Sequence, residues 1–225
     1  MAAGEGTRLR PLTERWPKPI LPIDGRPVIA TLLRDLAEAG IESATVVTGH
    51  LAGQVEELVG EGAAFGIAVR YACQPERLGS ADAVRRALTA GAVAPLLVSA
   101  ADTVFERGAL ARVAAEWLAS GAPAGLAVRR GGGEAKTPVR VEGGRIVEIG
   151  GGRGELTAAP LWFLGASVLP RLEEVPGPPY ELAAVVRGAG DAGIEVLALE
   201  VGPTRDLTHP EDVVVENFPY LWRSG

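Results

Sequence analysis

Residues 3–19 read Ala-Gly-Glu-Gly-Thr-Arg-Leu-Arg-Pro-Leu-Thr-Glu-Arg-Trp-Pro-Lys-Pro. One loop therefore carries two glycines, a hydroxyl, several arginines and a lysine between prolines. Gly4 and Gly6 let the backbone approach a ligand closely and let successive amides point one way. Thr7 adds a hydroxyl, and Arg8 and Lys18 add charge that can follow phosphate oxygens. Together these residues make a site for a polyphosphate. Two familiar phosphate loops are excluded. The P-loop needs a lysine directly after its second glycine, and the dinucleotide fingerprint needs a third glycine where Leu9 stands.

Charge concentrates in the same place. Residues 1–26 carry five basic and three acidic side chains, a net of +2, which leaves −8 for the remainder of a chain whose total is −6. An acidic protein with one cationic loop suits a small anionic substrate and argues against nucleic acid. Of 22 basic residues only Lys18 and Lys136 are lysines. A lysine kept in so arginine-rich a chain suggests that a compact point charge is needed at Lys18. For Lys136 the sequence decides nothing.

The 225 residues suit one domain, and 47% hydrophobic content supplies a large core. The apolar runs are too short to span a membrane, and no signal peptide precedes the loop, so the cytoplasm is the expected location. Cys73 is the only cysteine, which excludes an internal disulfide and a cysteine-based metal site. His50 and His209 have no neighbours suggesting a metal site or a triad and read as ordinary solvated histidines.

Outward from the loop, helical patterns at 27–39, 52–59, 80–90 and 109–119 alternate with apolar β runs at 43–48, 67–72, 95–100 and 124–129. Such alternation predicts a parallel sheet covered on both faces. After Arg130 the pattern changes. Strands are expected at 138–142 and 145–149 around Gly143-Gly144, a hairpin signal, then at 161–164 and 194–201. Helices are expected at 180–189 and 209–222, the last opening with a capping box at Thr208-His209-Pro210-Glu211.

The string Gly-x-Gly-Thr-Arg-Leu-x-Pro-Leu-Thr at 4–13, followed by Pro17-Lys18-Pro19, resembles the signature of the sugar-1-phosphate nucleotidyltransferases. The nearest members are the glucose-1-phosphate thymidylyltransferases and uridylyltransferases. With the α/β alternation, the resemblance implies a three-layer sandwich. Its sheet is expected to be mostly parallel, doubly wound and Rossmann-like, with a small β-hairpin insertion. One domain, 1–225, is expected, with a nucleotide-binding half at 1–130 and a sugar-phosphate half at 131–225. In this reading Ala3, Gly4, Gly6 and Thr7 hold the triphosphate. Arg8 neutralises the leaving pyrophosphate, and Lys18 bridges phosphates in the transition state.

Asp102 stands just beyond the strand 95–100, at the carboxyl end where α/β sheets bind ligands. The family has a metal-binding aspartate there, usually preceded by glycine, which Ala101 replaces. A helix-capping aspartate is the alternative. Asp206 begins Asp-Leu-Thr-His-Pro-Glu-Asp-Val, which resembles the family's Asp-Val-Gly-Thr-Pro-Glu-Asp-Leu, whose first aspartate is a second metal ligand. Asp102 and Asp206 would share Mg²⁺ with phosphate oxygens and water. Gln74-Pro-Glu-Arg-Leu-Gly-Ser-Ala81 resembles the segment whose glutamine and glycine read a pyrimidine base, so Gln74, Gly79 and Ser80 are nucleotide-binding candidates. An amide can donate and accept, as uracil or thymine requires. The alternative is a polar loop whose Ser80 caps the next helix.

Two departures stand out. The family's Glu-Lys-Pro, whose lysine meets the sugar phosphate, is Gly150-Gly151-Gly152 here, and its Asn-Ala-Gly is Ala158-Ala159-Pro160. Members also carry a core strand before the loop, so an apolar segment upstream of Met1 is expected in the natural protein.

The expected reaction joins an NTP, with UTP or dTTP favoured, to a sugar-1-phosphate, giving an NDP-sugar and pyrophosphate. The partners are these two substrates, without nucleic acid or membrane, and a homo-oligomer is compatible with the sequence. The alternatives are a non-catalytic nucleotide-sugar-binding regulatory homologue, or a guanylyl- or cytidylyltransferase of the same fold.

Overall fold

The computed structural model describes residues 1–131, 137–151 and 155–221; Lys136 and Gly152, named above, lie outside them. The first half runs β1 (Pro22–Ile23), β2 (Arg26–Pro27), α1 (Val28–Glu38), β3 (Ser43–Thr48), α2 (Ala52–Val59), β4 (Ala68–Cys73), α3 (Ser80–Thr89), β5 (Leu96–Ser99), β6 (Thr103–Val104), α4 (Ala109–Ser120) and β7 (Ala124–Arg130). The second half runs β8 (Pro138–Glu142), β9 (Arg145–Ile149), β10 (Leu156–Leu164), α5 (Leu182–Asp191), β11 (Val196–Glu200), β12 (Arg205–Asp206) and α6 (Pro210–Asn217). Among the described residues no helix is long and apolar enough to cross a membrane.

The apolar periods of the sequence become two packed faces. In α1, Ile29, Leu32, Leu33 and Leu36 recur at helical spacing and are buried. With Val55 and Val59 of α2 and Val113 and Trp117 of α4, they cover one side of the strands. Ala81 and Val84 of α3 and Leu182, Val185 and Val186 of α5 cover the other. Strand β7 alternates between them: Leu126 and Val128 face the second cluster and Ala127 the first. The molecule is thus a three-layer α/β sandwich.

The sheet departs from the mostly parallel expectation. Strand order is β5-β10-β7-β11-β9-β8, and β10 runs antiparallel to both β5 and β7. Among the described residues only β3/β4 and β7/β11 are parallel strand pairs. Hydrophobic alternation marks a strand but not its direction, so the reversal of β10 left no trace in the pattern. The hairpin β8–β9 is also no separate insertion. β9 pairs with β11, and β8 pairs back onto Leu156 and Thr157 of β10. The register of β10 shifts between Ala158 and Trp162, around Pro160, which has no amide hydrogen for a ladder.

Met1 and Ala2 connect this sheet to β3/β4. The Ala2 amide donates to Val47 O (2.7 Å), the Met1 nitrogen to Ser99 O (2.8 Å), and the Ala101 amide to Met1 O (2.9 Å). These two residues therefore run parallel to both β3 and β5. Beside them a cavity of about 560 Å³ lies between β3 and β5, lined by Val46, Leu97 and Leu33 among others. Leu96, Leu97 and Val98 of this apolar run border the gap and are therefore only partly buried.

Candidate active site

Ala2, pairing parallel with β3, delivers the chain into the glycine loop at the carboxyl ends of β3 and β4. Gly6 sits at φ +61°, and a Cβ there would stand 3.0 Å from Thr13 Cγ2 and 3.3 Å from Lys18 Cβ. Only glycine lets the loop cross so close to Lys18. Thr13 Oγ1 then donates to Gly6 O at 2.9 Å, which ties the crossing. A Cβ on Gly4 would meet nothing within 4 Å, so that backbone faces open space.

The loop borders a cavity of about 360 Å³ lined by Gly4, Gly6, Thr7, Arg8, Lys18 and Asp102, among others. Lys18 Nζ lies 2.5 Å from Asp102 Oδ2, with the Lys18 side chain mostly buried and that of Asp102 partly exposed. The candidates Gly4, Gly6, Thr7, Arg8, Lys18 and Asp102 thus meet around one space. Ala3 is buried behind the loop, its carbonyl accepting from the His50 amide. His50 is not merely solvated, because its Nε2 lies 2.8 Å from Thr13 O and braces the loop.

Asp206 comes to Asp102 through a two-strand ladder. In the β6/β12 pair Asp206 is the partner of Thr103, so the two aspartates stand on adjoining backbone segments. Arg205 fixes β12 from its other side, donating to Asp24 at 2.6 and 2.8 Å and to Glu216 at 2.6 Å. Its hydrogen bonds hold the Asp24 carboxyl below the usual carboxylate range, although burial opposes this. Asp206 Oδ2 accepts a long bond from Thr208 Oγ1 (3.3 Å). Among the described residues no three or more His, Cys, Asp or Glu are grouped so that they could hold a metal ion by themselves. Asp102 faces the cavity and Asp206 stands on the neighbouring strand, a sparse carboxylate set of the type Mg²⁺ uses alongside phosphate oxygens and water.

The cap of α6 closes one residue later than read. His209 is the cap, and Asp212 Oδ2 accepts from the Thr208 and His209 amides at 2.7 and 2.8 Å. The helix itself ends at Asn217, short of the expected residue 222.

Gln74, Gly79 and Ser80 do not line the loop cavity but adjoin it. The Gln74 amide donates to Thr48 O at 2.7 Å, and a Cβ on Gly49 would stand 2.7 Å from Gln74 O and 3.0 Å from Ala3 O. Gly49 thus packs the Gln74 segment against the glycine loop. Ser80 is the first residue of α3, not its cap. Its Oγ donates to Glu181 (2.6 Å) and accepts from the Leu182 amide (2.8 Å), so it serves the start of α5.

Sequence reasoning missed three neighbours. Arg77 and Thr208 line the cavity, and Arg77 Nε pairs with Glu5 Oε1 at 3.3 Å across it. Arg77 lay inside the segment read for the base, and its charge was the available signal. Gly49 was signalled only by its place after an apolar strand.

The glycine loop, Lys18 and Asp102 thus surround one cleft, with Asp206 on the adjoining strand, on an α/β sandwich. Residues 1–132 match the nucleotidyl transferase family model, and the chain belongs to that family. It is 35% identical over 107 residues to an N-acetylmuramate alpha-1-phosphate uridylyltransferase of Neisseria meningitidis, covering 47% of this chain and 46% of that protein. It is 40% identical over 84 residues to a glucose-1-phosphate thymidylyltransferase of Streptomyces antibioticus, covering 37% of this chain and 24% of that protein. These matches span less than half of each relative. The fold is similar to a UDP-glucose pyrophosphorylase complexed with UDP-glucose, with TM-score 0.81, 19% identity, and 99% and 97% of the two chains covered. It is also similar to the inositol-1-phosphate CTP transferase of T. maritima, with TM-score 0.78, 21% identity, and 94% and 88% covered.

Proposed function

We propose that the chain transfers a nucleoside monophosphate from an NTP, UTP or dTTP favoured, to a sugar-1-phosphate. A sugar phosphate oxygen attacks the α-phosphorus, the new P–O bond forms in line, and the bond to pyrophosphate breaks. The observation that carries this reading is Lys18 and Asp102 facing the cavity that the glycine loop encloses. Membership of the nucleotidyl transferase family supports it.

Little covalent chemistry falls to the protein in such a displacement, so positioning and charge do most of the catalysis. Gly4, Gly6 and Thr7 hold the triphosphate through backbone amides and a hydroxyl. Arg8 neutralises charge on the departing pyrophosphate, and Lys18 follows the phosphate oxygens through the transition state. Asp102 and Asp206 would hold Mg²⁺, whose chemistry is charge neutralisation at the phosphates. The carbonyl of Gln74, with Gly79, reads the base.

The test is pyrophosphate release over a matrix of NTPs and sugar-1-phosphates. Release with a uridine or thymidine triphosphate supports the reading. Tight nucleotide-sugar binding with no release from any pair would replace it with a non-catalytic regulatory homologue.

A further inference from the structure

Gln74 and Asp82 are both more than nine-tenths buried, and they form a network in which every hydrogen has a fixed owner. Gln74 Nε2 carries two hydrogens. One goes to Gly79 O at 2.9 Å and the other to Asp82 Oδ2 at 2.8 Å. Asp82 Oδ2 also accepts from Arg86 Nε at 2.8 Å, and Arg86 Nη1 donates to Cys73 O at 3.2 Å. A backbone carbonyl cannot donate. Nor can Asp82. Burial alone would raise its carboxyl, but hydrogen bonds from Arg86 and Gln74 hold it below the usual range and keep it ionised. Turning the amide over would set three acceptor oxygens against one another where water cannot compensate. Gly79 O cannot yield either. Gly79 sits at φ +102°, and a Cβ there would stand 2.3 Å from Tyr180 O and 2.6 Å from Tyr180 N.

The amide is therefore locked, and Gln74 offers a ligand its carbonyl oxygen alone. Among the described residues that oxygen accepts no hydrogen bond. We propose that Asp82 is a positioning residue that holds Gln74 in this acceptor-only state, so that the site takes uracil or thymine and rejects cytosine. This rests on the nucleotidyl-transfer reading above. Uracil and thymine carry a hydrogen on the ring nitrogen at the centre of the reading edge, and an acceptor meets it directly. Cytosine has a lone pair at that nitrogen, and its nearest donor is the exocyclic amine one position further round. Reaching that amine requires the ring to slide while its phosphates stay on the loop, and a displacement of about 1 Å can cost about 10²-fold. UTP and CTP have the same shape, so their ratio isolates this contact from pocket size.

The experiment compares UTP with CTP for the wild type, Asp82→Asn and Asp82→Ala, by calorimetric binding with Mg²⁺ and by pyrophosphate release. The wild type is expected to favour UTP by about 10- to 100-fold, the range for a buried group facing the wrong partner. Both variants remove one of the two acceptors that fix the amide and leave Gly79 O to hold it alone, so the UTP-to-CTP ratio is expected to fall at least several-fold while each still melts cooperatively. A merely structural role would weaken both nucleotides alike and leave the ratio unmoved, which would overturn the proposal. So would a wild type that prefers CTP. If no NTP releases pyrophosphate but calorimetry keeps the UTP preference and its loss in the variants, the transfer reading fails and the lock stands.

Discussion

The glycine loop and the segment around Gln74, proposed to hold the triphosphate and the base, lie side by side at the carboxyl ends of β3 and β4, and they are built on opposite plans. The loop keeps its chemistry facing a cavity. Gly4 has nothing beyond it, and Thr7, Arg8 and the Lys18–Asp102 pair line one space. The base segment spends its polar groups on itself. Gln74 gives both amide hydrogens inward, and Ser80 is engaged by Glu181 and the Leu182 amide. A triphosphate is recognised by charge, which acts over distance and tolerates open space. A base is recognised by which atom donates and which accepts, and that requires atoms with no freedom to turn. The two regions should therefore fail differently when altered.

The largest loss is expected at Asp102. Asp102→Asn removes a proposed metal ligand and the partner of Lys18, and turnover should fall by about 10³-fold or more with the melting temperature little changed. A chelator should abolish wild-type turnover, and added Mg²⁺ should restore it. Undiminished release from Asp102→Asn would remove that residue from the site.

Lys18 comes next. A contact made in the transition state is worth about 2–4 kcal/mol, so Lys18→Ala should lower kcat roughly 30- to 1000-fold with less change in KM. Lys18→Arg should rescue poorly, because the ammonium sits directly against Asp102 and a longer, planar guanidinium does not replace a compact point charge there. A change confined to KM would assign Lys18 to ground-state binding.

On the base side the effect should be smaller and selective. Gln74→Ala should reduce discrimination among nucleotides by about tenfold, near 1.4 kcal/mol, while leaving affinity for the triphosphate itself nearly intact. Equal losses for every NTP would erase the contrast between the two regions. Gly79→Ala sharpens the contrast through stability, since it forces a side chain onto Tyr180 at positive φ. The strain should be about 1–3 kcal/mol. For a chain of this length that lowers Tm by roughly 2–4 °C per kcal/mol. Gly4→Ala, with open space at its Cβ, should leave Tm nearly unchanged in the same thermal melt.

How far the sequence could be read follows the same division. The loop was legible because its residues are neighbours in the chain, and their chemistry does not depend on a distant partner. Strands β3, β8 and β9 and helix α2 occupy the expected residues because apolar period and glycine stops are local. Asp102 and Asp206 were found apart, but only the β6/β12 ladder shows that they adjoin. The reversal of β10 and the role of β8–β9 within the main sheet depend on pairing, which period does not encode. The partners of Ser80 lie 101 and 102 residues further on, so no local pattern could distinguish a cap for α3 from a clip on α5.

That clip makes the halves of the chain communicate. The Ala81 amide donates to Tyr180 O, the Tyr180 amide to Leu78 O, and the Leu182 amide to Ser80 Oγ. Residues 78–81 and 180–182 are thereby laced together by three hydrogen bonds, so a local opening of either strip is expected to carry the other and the start of α5 with it.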